Sequence, residues 1–341
     1  MIPILGSNDD GVSRVESLNL DELAPGTVHL LRVHLGQDGL GRAIRAPVMV
    51  ARGRREGPTV GLTAAVHGNE LNGIPVIHRI MDRIDPRTLK GTVVGVVAMN
   101  VPGLTLRQRR FADGVDLNHV FPGKPRGTPA EVYVHNFVQR VLPGLDSLID
   151  LHTASFGRVN SLYIRADMLN PVAARMARLQ RPEIIVHNPP ADPTLRGTAA
   201  AMNVPAITVE IGNPHRFHGD YIRRTVQGVW AVLADQGMVP GRKARQDLPQ
   251  AILCRRSYWL RTDGGGLLDV KPKVAQMVDK GEVLALQRDE FGRTRFAYEA
   301  PEHGVVIGRS VDPVAPMGTR FVHLGVPAEP GEFAVADGSG D

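Results

Sequence analysis

The sequence predicts an α/β protein, a sheet flanked by helices, followed by a smaller all-β, barrel-like domain, a small β-barrel or sandwich. Three observations carry this. From about residue 57 to 235, short apolar runs alternate with segments of helical periodicity. Several of those runs are apolar almost throughout, as strands covered on both faces are. After residue 250 the helical periodicity stops, and short strands punctuated by glycine turns take over. A chain of 341 residues is also long enough for two domains.

In order, residues 1–50 form a β extension in which "TVHLLRVHL" and "APVMVA" are extended. "TVGLTAAV", "TVVGVVAM", "SLIDL", "EIIVH" and "AITVEI" follow as strands. Between them, Leu71, Ile74, Ile77, Met81 and Ile84 repeat at helical spacing, with Pro75 tolerated in the first turn. Ala130, Val134, Phe137, Val138 and Val141 mark a second helix, and "YIRRTVQGVWAVLADQGM" a third. The first domain spans 1–240, and the polar, basic 241–250 is a linker. A β-rich domain covers 251–326, and 327–341 is a disordered tail. Two segments of the β-rich domain share a cadence, "GGGLLDVKPKVAQMVDKGEVLAL" and "HGVVIGRSVDPVAPMGTRFVHL".

With 43% hydrophobic and 22% charged residues, the composition is that of an ordinary soluble protein. The single Cys254 excludes an intrachain disulfide and a cysteine-based zinc knuckle, and it fits a cytoplasmic setting. The first twenty residues lack the features of a signal peptide. No stretch approaches the roughly 18 apolar residues of a membrane span. A net charge of +5 raises nucleic acid as a partner, but the basic residues are dispersed and aromatics make up only 5%. The charge suits attraction of a small anionic substrate instead.

The chemistry concentrates at strand ends. His67 and Glu70 in "AAVHGNELNG" follow an apolar strand and can reach one point. His152 ends another strand in "LIDLHTAS", with Asp150 on the same face as its partner. Two histidines and a glutamate form a ligand set of hydrolytic zinc enzymes, with a position left for water. Either feature alone also fits a hydrogen-bonded strand edge or a solvated turn. Glu210, inside the apolar "VPAITVEIGNP", is costly to bury as an ion. It is either half of a structural ion pair or a general base for the attacking water. In "RQRRFADGVDLNHVFPG" an arginine could polarise a scissile carbonyl, or the loop could be merely basic and solvated.

These four motifs together, "H-G-N-E", "D-L-N" before "F-P-G", "D-L-H-T" and "T-V-E-I-G", resemble the succinylglutamate desuccinylase/aspartoacylase family over roughly residues 25–326. The resemblance implies a zinc-carboxypeptidase-like mixed sheet flanked by helices. It implies one Zn2+ per chain on His67, Glu70 and His152, with Glu210 as general base. Asn118 would bind a polar or carboxylate group of the substrate, and Asp116 would support the ligands from behind. Arg110 most nearly takes the place of the carbonyl-polarising arginine, with Arg109 and Arg107 competing. The C-terminal domain becomes a wall or gate to the site.

One departure matters. The family commonly reads "D-L-N-R", and this chain has His119 where the arginine stands. A histidine cannot make the bidentate carboxylate contact of a guanidinium. Neither N-succinylglutamate nor N-acetylaspartate therefore carries over as substrate. Arg196 is the first candidate for a replacement clamp, and Arg158 and Arg165 are others.

The resulting expectation is a zinc-dependent deacylase of an N-acyl amino acid or related small acid. The alternatives are a metallocarboxypeptidase releasing a C-terminal residue such as glutamate, and a catalytically silent zinc protein. The expected partner is an acyl-amino-acid or peptide-like anion, with no nucleic acid and no membrane. Homo-oligomerisation is left open, and cobalt or manganese would suit the same ligands.

Overall fold

The structure, a computed structural model, describes residues 11–241 and 250–333. Most of the expected linker and the end of the expected tail lie outside these residues.

The strands in the first part are β1 (Val12–Val15), β2 (Thr27–Gln37), β3 (Ala43–Arg52), β4 (Arg55–Ala64), β5 (Lys90–Val96) and β6 (Ser147–His152). They continue with β7 (Arg158–Asn160), β8 (Leu162–Ala166), β9 (Ile184–His187) and β10 (Ala206–Ile211). The helices are α1 (Gly73–Arg83), α2 (Val101–Thr105), α3 (Pro129–Val141), α4 (Pro171–Leu179), α5 (Leu195–Ala201) and α6 (Gly219–Asp235). The C-terminal part holds β11 (Ile252–Arg261), β12 (Gly266–Val270), β13 (Met277–Val278) and β14 (Val283–Arg288). It ends with β15 (Thr294–Glu299), β16 (Gly304–Ser310), β17 (Val314–Ala315) and β18 (Arg320–Pro327). Among the described residues, no helix is long and apolar enough to cross a membrane.

One mixed sheet runs through both parts in the order β1-β2-β3-β5-β4-β6-β10-β8-β9-β11-β18-β16-β13. Its centre is parallel: β5, β4, β6 and β10 lie side by side in one direction. Alternation along these buried strands feeds two cores. Ile149, Leu151, Ile207 and Val209 pack with α1, α4 and α6 on one face. Leu148, Ala206, Val94 and Val96 pack with α3 and α5 on the other. By the same parity Asp150, His152 and Glu210 point to the α3/α5 face.

Local sequence explains how the elements close on one another. A capping box between Thr128 and Glu131, with Pro129 at the first position, starts α3. Gly73 lets α1 begin against the sheet, since a Cβ there would lie 2.6 Å from Leu151 Cβ and 2.8 Å from Ala64 Cβ.

Of the expected small barrel or sandwich, the C-terminal strands are not seen closed into a barrel. They divide between two sheets: β11, β18, β16 and β13 extend the large one, while β15-β14-β12-β17 make a second. Leu268, Leu284, Tyr298, Val306 and Phe321 fill a core between them. The two similar segments each give a strand, a two-residue strand and a strand, and they interlock. The short β13 pairs with β16 of the other segment, and the short β17 with β12. This part is also stitched to the first, because β9 pairs with β11 and β7 with β16. Residues 328–333, expected in the disordered tail, fold back: Ala328 N donates to Leu253 O, and Phe333 packs on His187.

Candidate active site

The site gathers at the C-terminal ends of the adjacent parallel strands β4, β6 and β10, where open α/β sheets place ligands. Strand β4 ends at Ala64, and Ala65 takes φ +52 as the chain turns toward His67. Gly68 is required at this turn, since a Cβ would meet Gly103 C at 2.0 Å and Leu104 N at 2.2 Å. Strand β6 delivers His152, and its partner in register on β10 is Glu210.

His67, Glu70 and His152 converge. Their Nδ1 atoms lie 3.2 Å apart, and the Glu70 carboxylate is 2.9 Å from one and 3.0 Å from the other. All three residues are buried. The remaining imidazole nitrogens are engaged: His67 Nε2 donates to Asp116 Oδ1 at 3.1 Å, and His152 Nε2 to Asp150 Oδ2 at 2.7 Å. A proton held on each Nε2 leaves both Nδ1 lone pairs facing the shared point. Two imidazoles and a carboxylate so disposed form a donor set that fits one Zn2+.

The carboxylates behind the histidines are themselves fixed. Asp150 accepts from Thr63 Oγ1 at 2.6 Å, a consequence of the register pairing of those residues. Asp116 also accepts from Asn118 N and from Arg109 Nε at 2.8 Å. Burial opposes the charges on Glu70 and Asp116, but His67 and Arg109 outweigh it and hold both carboxyls well below the ordinary range. Burial also opposes charge on His152, yet Asp150 and Glu70 raise its pKa well above that of a free imidazole. Glu210 behaves in the opposite way: burial, then the neighbouring Glu70, pushes its pKa up. Asn160 Nδ2 donates to its Oε2 at 3.3 Å.

His67, Glu70, His152, Asn160 and Glu210 line a cavity of about 260 Å3. Asn118 and His119 line it too. Asn118 Oδ1 accepts from Leu195 N at 2.9 Å, and its Nδ2 is uncommitted among the described residues. Of the three arginines in the preceding loop, Arg109 enters the site. Its Nη1 donates to Glu70 Oε1 at 2.6 Å and to Ser155 Oγ at 3.0 Å. Arg110, the first choice from sequence, is exposed and does not line the cavity, and Arg107 is likewise exposed. Adjacent residues of an irregular loop point to different sides, and spacing alone could not choose among them. Arg196 lines the cavity but is tied to Asn188 by two bonds of 2.9 and 3.0 Å. Arg165 and Arg158 also reach the cavity.

Sequence reasoning missed Tyr163, Asn160, Asp192, Trp259 and Arg320 as lining residues. Trp259 and Arg320 come from β11 and β18, so the C-terminal part forms one wall of the site.

A family model for the succinylglutamate desuccinylase/aspartoacylase catalytic domain matches residues 56–235. Over 309 residues the chain is 26% identical to the N-alpha-acetyl-L-2,4-diaminobutyric acid deacetylase of Halomonas elongata, covering 86% of this chain and 90% of that relative. A succinylglutamate desuccinylase/aspartoacylase structure from Rhodobacter sphaeroides superposes with a TM-score of 0.82 at 21% identity, covering 93% of this chain and 99% of the other. The product-bound ectoine utilization protein EutE (DoeB) from Ruegeria pomeroyi gives 0.79 at 21% identity, with 88% and 95% covered. These two likenesses show a shared fold over nearly the whole of each chain.

Proposed function

The chain belongs to the succinylglutamate desuccinylase/aspartoacylase family, and from that premise we propose that it is a zinc-dependent hydrolase removing the acyl group of an N-acyl amino acid, with its side chains in the following roles. His67, Glu70 and His152 hold the metal, which when bound supplies Lewis acidity toward water and toward a carbonyl oxygen. Asp116 and Asp150 keep the imidazole protons on Nε2. Glu210 takes a proton from the attacking water and returns it to the departing amine, a task to which a carboxylate of raised pKa is suited. Arg109, anchored through Nε and Nη1, has Nη2 left to donate to the carbonyl oxygen as negative charge develops.

The observation that carries the reading is Glu210 standing in register beside the zinc ligand His152 on the next strand. Arg109 replaces Arg110 as the carbonyl-polarising group. Arg196 is spent on Asn188, so carboxylate recognition falls to Arg165, which lines the same cavity as Asn118 and His119. A cavity of about 260 Å3, walled by Trp259 and Arg320, suits a small acylated amino acid better than a peptide. Five arginines in that lining favour an anionic substrate, so the diaminobutyrate named for the Halomonas relative is not carried over. The buried, unpaired Cys254 fits a cytoplasmic setting.

The test is Glu210→Gln. It retains about one zinc per chain and lowers kcat on the best N-acyl amino acid by about 10²–10⁴-fold. A wild-type protein that binds no zinc, or a variant with undiminished activity, refutes the proposal.

A further inference from the structure

The carboxylate assigned to proton transfer is held by a residue that the C-terminal part keeps in place. Asn160 closes β7, is 7% exposed, and lines the cavity together with Glu210. Its Nδ2 donates to Glu210 Oε2 at 3.3 Å. An amide is an uncharged donor, so it orients a carboxylate without setting a cation against it. A glutamate side chain has several torsions, and a base that swings among rotamers is seldom aimed at the proton it must take.

Strand β7 has only three residues, and the strand it pairs with is β16. Asn160 stands opposite Gly308 there. The short strand is pinned at both ends. Val311 N donates to Gly157 O at 2.9 Å, and Ser161 donates to Ile307 O through its N at 3.0 Å and its Oγ at 3.1 Å. Ile307 sits where the pairing of β16 with β18 slips, between Val306 and Gly308. An irregularity of this kind re-aims the groups around it. Gly308 then supplies the space for the carboxamide. A Cβ there would lie 2.3 Å from Asn160 Oδ1 and 3.0 Å from Val159 O. Any side chain at 308 would displace the group that meets Glu210.

We propose that Asn160 is a positioning residue for Glu210: it fixes one carboxylate oxygen, and so the direction of the other, while Gly308 of the C-terminal part fixes Asn160. The inference rests on Glu210 being the general base of the proposed hydrolysis. The C-terminal strands then serve proton transfer as well as walling the cavity.

The experiment uses the zinc-loaded protein and the N-acyl amino acid it hydrolyses best. Asn160→Leu keeps the volume of the side chain and removes the donor. It lowers kcat by about 10–100-fold, as a lost hydrogen bond to a charged group or a misplaced reacting group does, with KM and zinc content within about threefold of wild type. In a Glu210→Ala background the same substitution costs nothing further, because no carboxylate is left to orient. Gly308→Ala lowers kcat in the wild type but not in Asn160→Ala, where the missing carboxamide leaves room for the methyl group. A merely structural role leaves Asn160→Leu near wild type, or costs zinc in step with activity. A direct contact with substrate raises KM and persists in Glu210→Ala. Either result overturns the positioning role and spares the deacylase reading. Undiminished activity of Glu210→Ala overturns both the base and its positioning. If no N-acyl amino acid is hydrolysed, the deacylase reading fails, and crystal structures of the zinc-loaded proteins decide the rest. One Glu210 conformer in the wild type and several in Asn160→Leu support the positioning, and one conformer shared by both overturns it.

Discussion

Asp150 offers a direct test of how the zinc ligands are oriented. Its carboxylate is 1% exposed and is shared between His152 Nε2 at 2.7 Å and Thr63 Oγ1 at 2.6 Å. In Asp150→Asn, the amide oxygen can still accept from His152, and the amide nitrogen can donate to the Thr63 hydroxyl, which rotates to accept. The geometry survives and the charge does not. A neutral acceptor polarises the imidazole less, so His152 becomes a poorer ligand. Asp150→Ala goes further. It leaves a buried Nε2–H without an acceptor, and the ring can shift its proton to Nδ1, the atom that must face the metal. Loss of an outer carboxylate of this kind costs about 10–100-fold in metal affinity, or about 1.4–2.7 kcal/mol. The smaller figure belongs to Asp150→Asn and the larger to Asp150→Ala. Competition for zinc against a chromophoric chelator measures both, with circular dichroism confirming that the variants are folded. Affinities within threefold of wild type for the folded Asp150→Ala protein refute the reasoning.

Arg109→Lys keeps a positive charge near Glu70 but loses the fork that spans Asp116 and Glu70 and still presents a free donor. Its kcat falls by about 10²–10³-fold with a smaller change in KM, read by steady-state kinetics, whereas Arg110→Lys stays near wild type. Gly68→Ala forces a methyl group against the Gly103–Leu104 backbone, which cannot swing aside as a side chain can. It lowers stability by about 1–3 kcal/mol in denaturant unfolding, and zinc content falls with it because the displaced turn carries His67 and Glu70.

The central sheet was legible in the sequence because its strands are buried on both faces, and runs such as "TVVGVVAM" are too short and too rich in valine to suit a buried helix. The metal site was legible for a related reason. His67, Asp150, His152 and Glu210 interrupt or end apolar strands, and polar groups in such places require a partner. Helix α4 gives little apolar contrast because its buried face is largely alanine, at Ala173, Ala174 and Ala177, and α5 gives little because it has seven residues and buries Arg196, Gly197 and Thr198 beside Leu195 and Ala199. Strand β7 has three residues and gains its pairing only from β16, some 150 positions along the chain, as the Gly308–Asn160 register shows. The choice of Arg109 over Arg110 depended on loop conformation, which residue spacing does not encode.

Of the expected barrel or sandwich, closure into a barrel is not shown, and the pairing that the C-terminal strands make instead explains the site. A self-contained barrel would satisfy its own strand edges and need touch the first part only at its surface. Here β11 pairs with β9 and β16 with β7, so the C-terminal strands are continuous with the catalytic sheet. Tyr163, Ile184, Val186, Cys254, Val305 and Ile307 fill a shared core at the joint. Rigidity at that joint fixes the position of Trp259 and Arg320 relative to Glu210, although more than a hundred residues separate Arg320 from Glu210 in sequence. The metal ligands and Glu210 come from the ends of β4, β6 and β10, Arg165 from β8, and Trp259 and Arg320 wall the same cavity from β11 and β18. One continuous sheet thus holds the candidate metal ligands in its parallel centre and one wall of their cavity in its C-terminal strands, so a substitution at Trp259 or Arg320 can reshape the cavity while His67, Glu70 and His152 stay where they are.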